Sequence, residues 1–133
     1  MSAPEVERDY RAPIARARGL GSAKSGTGHF WWQRVTAIVL ALLVPWLVGT
    51  LVSLVGADLA TVQAAIARPW NAILLAAFVL ALFWHAKLGI QVVIEDYVHA
   101  RGVELTLLVL NALLCTLGAL ASLYAIGRIA LLG

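Results

Sequence analysis

The chain has 133 residues, enough for one domain, of which 62% are hydrophobic and 13% charged, with a formal net charge of +3. That charged fraction is about half the usual one for soluble proteins, and a mean hydropathy of +0.88 excludes an ordinary water-soluble globule. The single cysteine, Cys115, excludes an internal disulfide, and its place in an apolar run leaves the redox compartment open.

Residues 1–30 read as a polar arm, in which Arg8, Arg11, Arg16, Arg18 and Lys24 stand against Glu5, Glu7 and Asp9. No early apolar core precedes a cleavage site, so no signal peptide is expected. Pro4, Pro13 and the stretch GLGSAKSGTG argue against a regular element there. The arm is either a solvated tail or a segment that docks on a partner. GLGSAKSGTG superficially suggests a phosphate loop, but it lacks a glycine directly before the lysine and no strand precedes it. Neither nucleotide binding nor a nucleic-acid partner is expected.

Three apolar runs follow. Val35–Ala57 carries no charge and is long enough to span a bilayer, giving a first helix over about 31–57. Its approach, HFWWQRVTAIVL, sets Phe30, Trp31, Trp32, Gln33 and Arg34 at a membrane interface, where an aromatic belt with a snorkelling arginine is the ordinary arrangement. The second run starts near Pro69 and continues to Ile94, interrupted only by Lys87, giving a helix over about 69–98. The third, about Leu105 to Gly127, is again uncharged and gives a helix over about 103–130. In it Asn111, Cys115, Gly118 and Ser122 form a small, weakly polar stripe that reads as a packing face, while Tyr124 and Arg128 anchor an interface. Asp58 and Arg68 bracket the first connection, and His99, Arg101 and Gly102 lie in the second. Three such spans leave no amphipathic shell for a soluble core. The fold expected is therefore an all-α membrane protein: the arm, then three transmembrane helices within 31–133, with no internal repeat.

Orientation follows the basic residues. The arm and Arg34 together hold six Lys/Arg and the second connection holds Arg101, whereas Arg68 and Arg128 lie on the opposite side. The N-terminus is expected in the cytoplasm and the C-terminus in the periplasm, the arm dominating the count.

His85 is the one histidine deep in the membrane. It precedes Glu95 by ten residues, roughly 15 Å of helix rise, or half of a ~30 Å hydrocarbon core. Asp96 follows after eleven residues, within about 20° of the same helix face, and Ala81, Gly89 and Val92 lie near that face. Lys87 is about 200° round from His85 and reads as a structural, snorkelling lysine. An ionisable ring at this depth is costly and marks a site, a partner or both. One reading is an imidazole hydrogen-bonded to a neighbouring helix. A proton relay would want further carboxylates at membrane depth, which the runs lack. A haem ligand fits a lone histidine beside small residues. If two histidines hold the iron, the second must come from another chain, because His29 and His99 lie at the surface. Three helices are also too few to enclose a porphyrin, which favours a subunit over a self-sufficient cytochrome. Asp96 and Tyr97 are either an ordinary interfacial helix end or part of a quinone site, in which the Tyr97 hydroxyl donates to a carbonyl at the membrane edge. Arg34, expected on the same side, is either part of the belt or a cation for haem propionates or a quinone oxygen.

The run H-A-x-x-G-x-x-x-V-x-x-D-Y-V, His85 to Val98, resembles the second helix of the succinate dehydrogenase hydrophobic membrane-anchor family. R-x-T-A-I-V-L, Arg34 to Leu40, is similar to the start of its first helix, and SGTGHFWWQR looks like its alphaproteobacterial branch. The resemblance covers most of the chain from about Ser22 onward. It implies one of two small anchors of succinate:ubiquinone oxidoreductase (respiratory complex II) in the bacterial inner membrane. Its implied partners are a second membrane anchor, an iron–sulfur subunit, a flavoprotein subunit carrying FAD, and membrane lipid. By the same resemblance His85 is an axial ligand of a haem b shared with the other anchor. Tyr97 hydrogen-bonds a ubiquinone carbonyl, Asp96 orders that site, and Arg34 lies near the propionates and the quinone pocket. The departures are the double tryptophan and Gln33 before Arg34, and His99, which has no role. The alternatives are an anchor of another quinone-linked cytochrome b oxidoreductase, whose chains commonly carry several histidines, or a small membrane protein without cofactor.

Overall fold

A computed structural model describes residues 13–14 and 26–133. The arm's remaining residues, including Arg8, Arg11, Arg16, Arg18 and Lys24, lie outside the described residues. From Gly26 on, four helices follow one another: α1 (Gly26–Ser53), α2 (Leu59–Ala67), α3 (Pro69–Tyr97) and α4 (Arg101–Leu132). Three of them, Thr27–Ser53 within α1 together with α3 and α4, are long and apolar enough to cross a membrane.

The helices differ from the expected bounds in ways the backbone explains. α1 is already helical at Gly26, ahead of the expected 31 and inside the stretch read as irregular. The first four N–H groups of a helix have no intrahelical partner, and they are expensive in hydrocarbon. With the helix already formed at Gly26, those groups lie ahead of Trp31–Arg34. Pro13, also read against regular structure, is helical together with Ile14. Pro45 lies inside α1, which continues through it, as membrane helices allow.

The connection that Asp58 and Arg68 bracket contains α2. Asp58 caps it, accepting a hydrogen bond from the Thr61 N–H at 3.0 Å. The Thr61 hydroxyl and then its backbone N–H hold the Asp58 carboxyl below its usual range. Gly56, at φ +79, makes the turn between α1 and this cap. Arg68 ends α2 in an extended conformation and Pro69 opens α3 at its first turn. Asn71 then ties the two, its amide donating to the Ala65 carbonyl at 2.8 Å.

α3 is the centre of the molecule. α1 and α4 each pack on it, and among the described residues they do not pack on one another. The spans thus form an open layer, not a closed bundle. Its interior is correspondingly small: among the described residues Ala81 and Leu88 are the buried apolar ones, both on α3.

The stripe on α4 is a packing face. Asn111, 7% exposed, donates to the Lys87 carbonyl of α3 at 2.9 Å. Cys115 approaches the Asn111 side-chain oxygen at 3.5 Å, and Ser122 bonds back to the Gly118 carbonyl at 2.8 Å. Gly118 lets Phe83 of α3 lie against the α4 backbone; a Cβ there would stand 2.5 Å from Phe83 Cε1. Gly118→Val is expected to cost about 1–3 kcal/mol through overpacking, read as a lower thermal midpoint of the detergent-solubilised protein. An unchanged midpoint would mean that the α3–α4 contact is not tight at this point.

Candidate functional site

The α1 and α3 faces that meet above Leu88 leave a groove of about 510 Å³. α1 contributes His29, Phe30, Gln33, Arg34 and Ala37; α3 contributes His85, Leu88 and Val92. The spacings 29/33/37 and 30/34 are successive turns of one helix face, and 85/88/92 is the facing stripe on α3. The groove is mostly apolar, with His85 at its deep end and Arg34 and His29 toward the N-terminus of α1.

His85 is half-buried. Its Nδ1 lies 3.0 Å from the hydroxyl oxygen of Thr36 on α1. Thr36 is 6% exposed and donates back along α1 to the Trp32 carbonyl at 2.7 Å. One residue before His85, Trp84 meets Trp32 with ring centroids 5.4 Å apart and planes tilted by 46°, an aromatic contact worth roughly 0.5–1.5 kcal/mol. α1 is thus held against α3 beside the histidine by one polar and one aromatic contact. Gly89 keeps the same face low: a Cβ there would have the Gln33 amide nitrogen as its nearest neighbour, at 3.9 Å.

The imidazole therefore has both of the features considered for it: a hydrogen bond to a neighbouring helix and a ring edge in a groove. These are compatible. A neutral imidazole that donates from Nδ1 to the protein keeps Nε2 for a ligand, and among the described residues Nε2 has no protein partner. The donor set suits a haem iron, with one imidazole nitrogen, small residues beside it and a guanidinium at the other end of the groove for carboxylates. The groove holds a second imidazole, His29, but at its mouth, two turns of α1 before the Thr36 that His85 meets. Among the described residues no group of three or more His, Cys, Asp or Glu side chains could hold a bare metal ion.

The other expected residues fall in different places. Arg34 shares the groove with His85 and lies over the Phe30 ring, 4.9 Å from its centroid. Asp96 and Tyr97 are not in its lining. Both are exposed at the last turn of α3, Tyr97 by 79%. Lys87 lies on the far side of α3, as its angular offset required, in a second groove with Cys115 and Thr116. Its ammonium is 5.7 Å from the centroid of the Trp84 ring. Two residues of the site are not apparent from the sequence. His29, which reads simply as a surface histidine, lines the groove mouth; the i, i+4, i+8 spacing with Gln33 and Ala37 is the available signal. Thr36 stands in the R-x-T-A-I-V-L run, but its partner on another helix has no spacing to betray it.

Residues 8–121 match the family model described as the succinate dehydrogenase/fumarate reductase transmembrane subunit. The chain is similar to the succinate dehydrogenase hydrophobic membrane anchor subunit of Rickettsia bellii, with 38% identity over 118 residues covering 89% of this chain and 94% of that one. It is 35% identical over 119 residues to the subunit of the same name from Rickettsia conorii, with the same coverage of 89% and 94%. To that of Paracoccus denitrificans it is 30% identical over 122 residues, covering 92% and 94%.

Proposed function

We infer, from a chain that belongs to the succinate dehydrogenase/fumarate reductase transmembrane subunit family, that it anchors a succinate:ubiquinone oxidoreductase, supplies one axial ligand of a haem b and forms part of the ubiquinone site. The membership itself establishes a hydrophobic membrane anchor of the bacterial inner membrane that crosses it several times. The observation that carries the finer reading is His85, tied through Nδ1 to Thr36 and presented to an apolar groove that also contains Arg34.

In this reading the arm and the α3–α4 connection face the cytoplasm, following the excess of Lys/Arg there. The flavoprotein subunit with its FAD and the iron–sulfur subunit with its clusters sit on that side. A second anchor covers the groove between α1 and α3 and brings the other histidine. When bound, haem b supplies a one-electron redox centre within the membrane. His85 would hold it through Nε2, and Arg34 would offset the propionate charge, a charge-assisted contact. Asp96 and Tyr97 lie one layer nearer the cytoplasm. Tyr97 donates its hydroxyl to a ubiquinone carbonyl, and Asp96 keeps that edge hydrated and open to protons. Ubiquinone reduction takes up two electrons, from the iron–sulfur subunit, and two protons, from the aqueous side. The exposure of Tyr97 supports a site completed by other subunits.

The test is deletion of this chain in its host. Succinate oxidation measured with a water-soluble artificial acceptor is expected to move from the membrane to the soluble fraction, and succinate:quinone activity to vanish. Membrane-bound succinate:quinone activity that persists without the chain would overturn the proposal.

A further inference from the structure

Thr36 and Asn111 are the buried polar residues among those described. Asn111 is accounted for by the α3–α4 contact. Thr36 has a different surrounding. Its hydroxyl carries one hydrogen, and two carbonyls compete for it, Trp32 at 2.7 Å and Gln33 at 3.2 Å. Carbonyls only accept, and the Trp32 carbonyl is also nearer than Nδ1 of His85 at 3.0 Å, so the hydrogen goes to Trp32, closing the back-bond that threonine commonly makes in membrane helices. What Thr36 then offers His85 at 3.0 Å is a lone pair. The hydrogen between them has to come from the imidazole, which puts it on Nδ1. A neutral imidazole has a single N–H, so Nε2 is left bare.

We propose that Thr36 is a positioning residue, which fixes the His85 ring against α1 in the Nδ1–H tautomer and leaves Nε2 as the nitrogen that can bind iron. This rests on haem ligation by His85. Outer partners of this kind set the tautomer and basicity of a ligating histidine. Without the acceptor both tautomers are open, and the one with hydrogen on Nε2 cannot ligate. The Trp32–Trp84 contact keeps the spacing of α1 and α3 independently of the hydroxyl, so the polar contribution can be removed with little loss of packing.

The experiment uses the intact, detergent-purified assembly carrying Thr36→Val, which keeps the shape and deletes the acceptor, beside Thr36→Ser, which keeps the acceptor. Haem per flavin and the haem midpoint potential are read in both. Thr36→Val is expected to hold haem about tenfold more weakly. The haem that remains is expected to titrate at a higher potential, because an imidazole without an acceptor at Nδ1 donates less to ferric iron. Thr36→Ser is expected to stay at the wild-type potential. Thr36→Ala carries the same expectation as Thr36→Val and replaces it if that variant fails to assemble. Wild-type haem retention and potential in Thr36→Val, or an equal shift in Thr36→Ser, overturns the proposal. His85→Ala separates the two levels: if it keeps its haem, ligation by His85 fails, whereas if it loses haem while Thr36→Val behaves as wild type, only the role of Thr36 fails.

Discussion

In the reduced-minus-oxidised spectrum of the purified assembly, the wild type is expected to give a b-type signal and His85→Ala to lose it. Removing an outer partner of a metal ligand already weakens binding by about 10- to 100-fold. Removing the ligand itself should exceed that and leave less than about a tenth of the haem. The rest of α1 and α3 has little reason to move. The Thr36 hydroxyl still donates to Trp32 at 2.7 Å, Trp32 still meets Trp84, and Asn111 still joins α4 to the Lys87 carbonyl. The subunits should therefore still purify together, with the loss confined to the haem. A wild-type spectrum in His85→Ala would return His85 to the simpler role of a hydrogen-bonding side chain between helices.

Tyr97→Phe is expected to lower the kcat/KM of succinate:ubiquinone reduction by about 10- to 100-fold, while succinate oxidation with an artificial acceptor stays unchanged. As electrons reach the quinone its carbonyl oxygen gains negative charge, and a hydrogen bond to a charged group is worth about 1.5–3 kcal/mol. The ring of Tyr97 is kept in the variant and only the donor goes. With the side chain 79% exposed, folding of this chain should be indifferent to the change. Equal rates with both acceptors would remove Tyr97 from the quinone site. A fall with both would point to a defect upstream, in the flavoprotein or the iron–sulfur subunit.

The sequence makes the membrane spans legible because length and apolar content almost alone determine them. The second span is the clearest case: Pro69 marks its start and the polar Glu95-Asp96-Tyr97 its end, as observed. α2 is hidden although Asp58 and Thr61 have cap spacing, because a nine-residue helix between two long apolar runs has no periodicity of its own. The packing stripe on α4 is legible since one helix determines its spacing. Which side chain of α3 fills it, Phe83 over Gly118, depends on how two helices are rotated and shifted, and no single-helix pattern contains that. The same reason hides the bond between Thr36 and His85, 49 residues apart. The depth expected of His85 and the face expected of Asp96 rest on helix rise and rotation alone. That His85 shares its groove with Arg34 but not with Tyr97 requires the packed helices.

The haem-to-flavin ratio of the assembly purified through a tag on this chain tests the central claim most directly. A flavoprotein on the cytoplasmic side and one haem held between His85 and a second anchor predict a ratio close to one. Flavin without haem would contradict ligation by His85, and a preparation without flavin would contradict the role as anchor of a succinate:ubiquinone oxidoreductase.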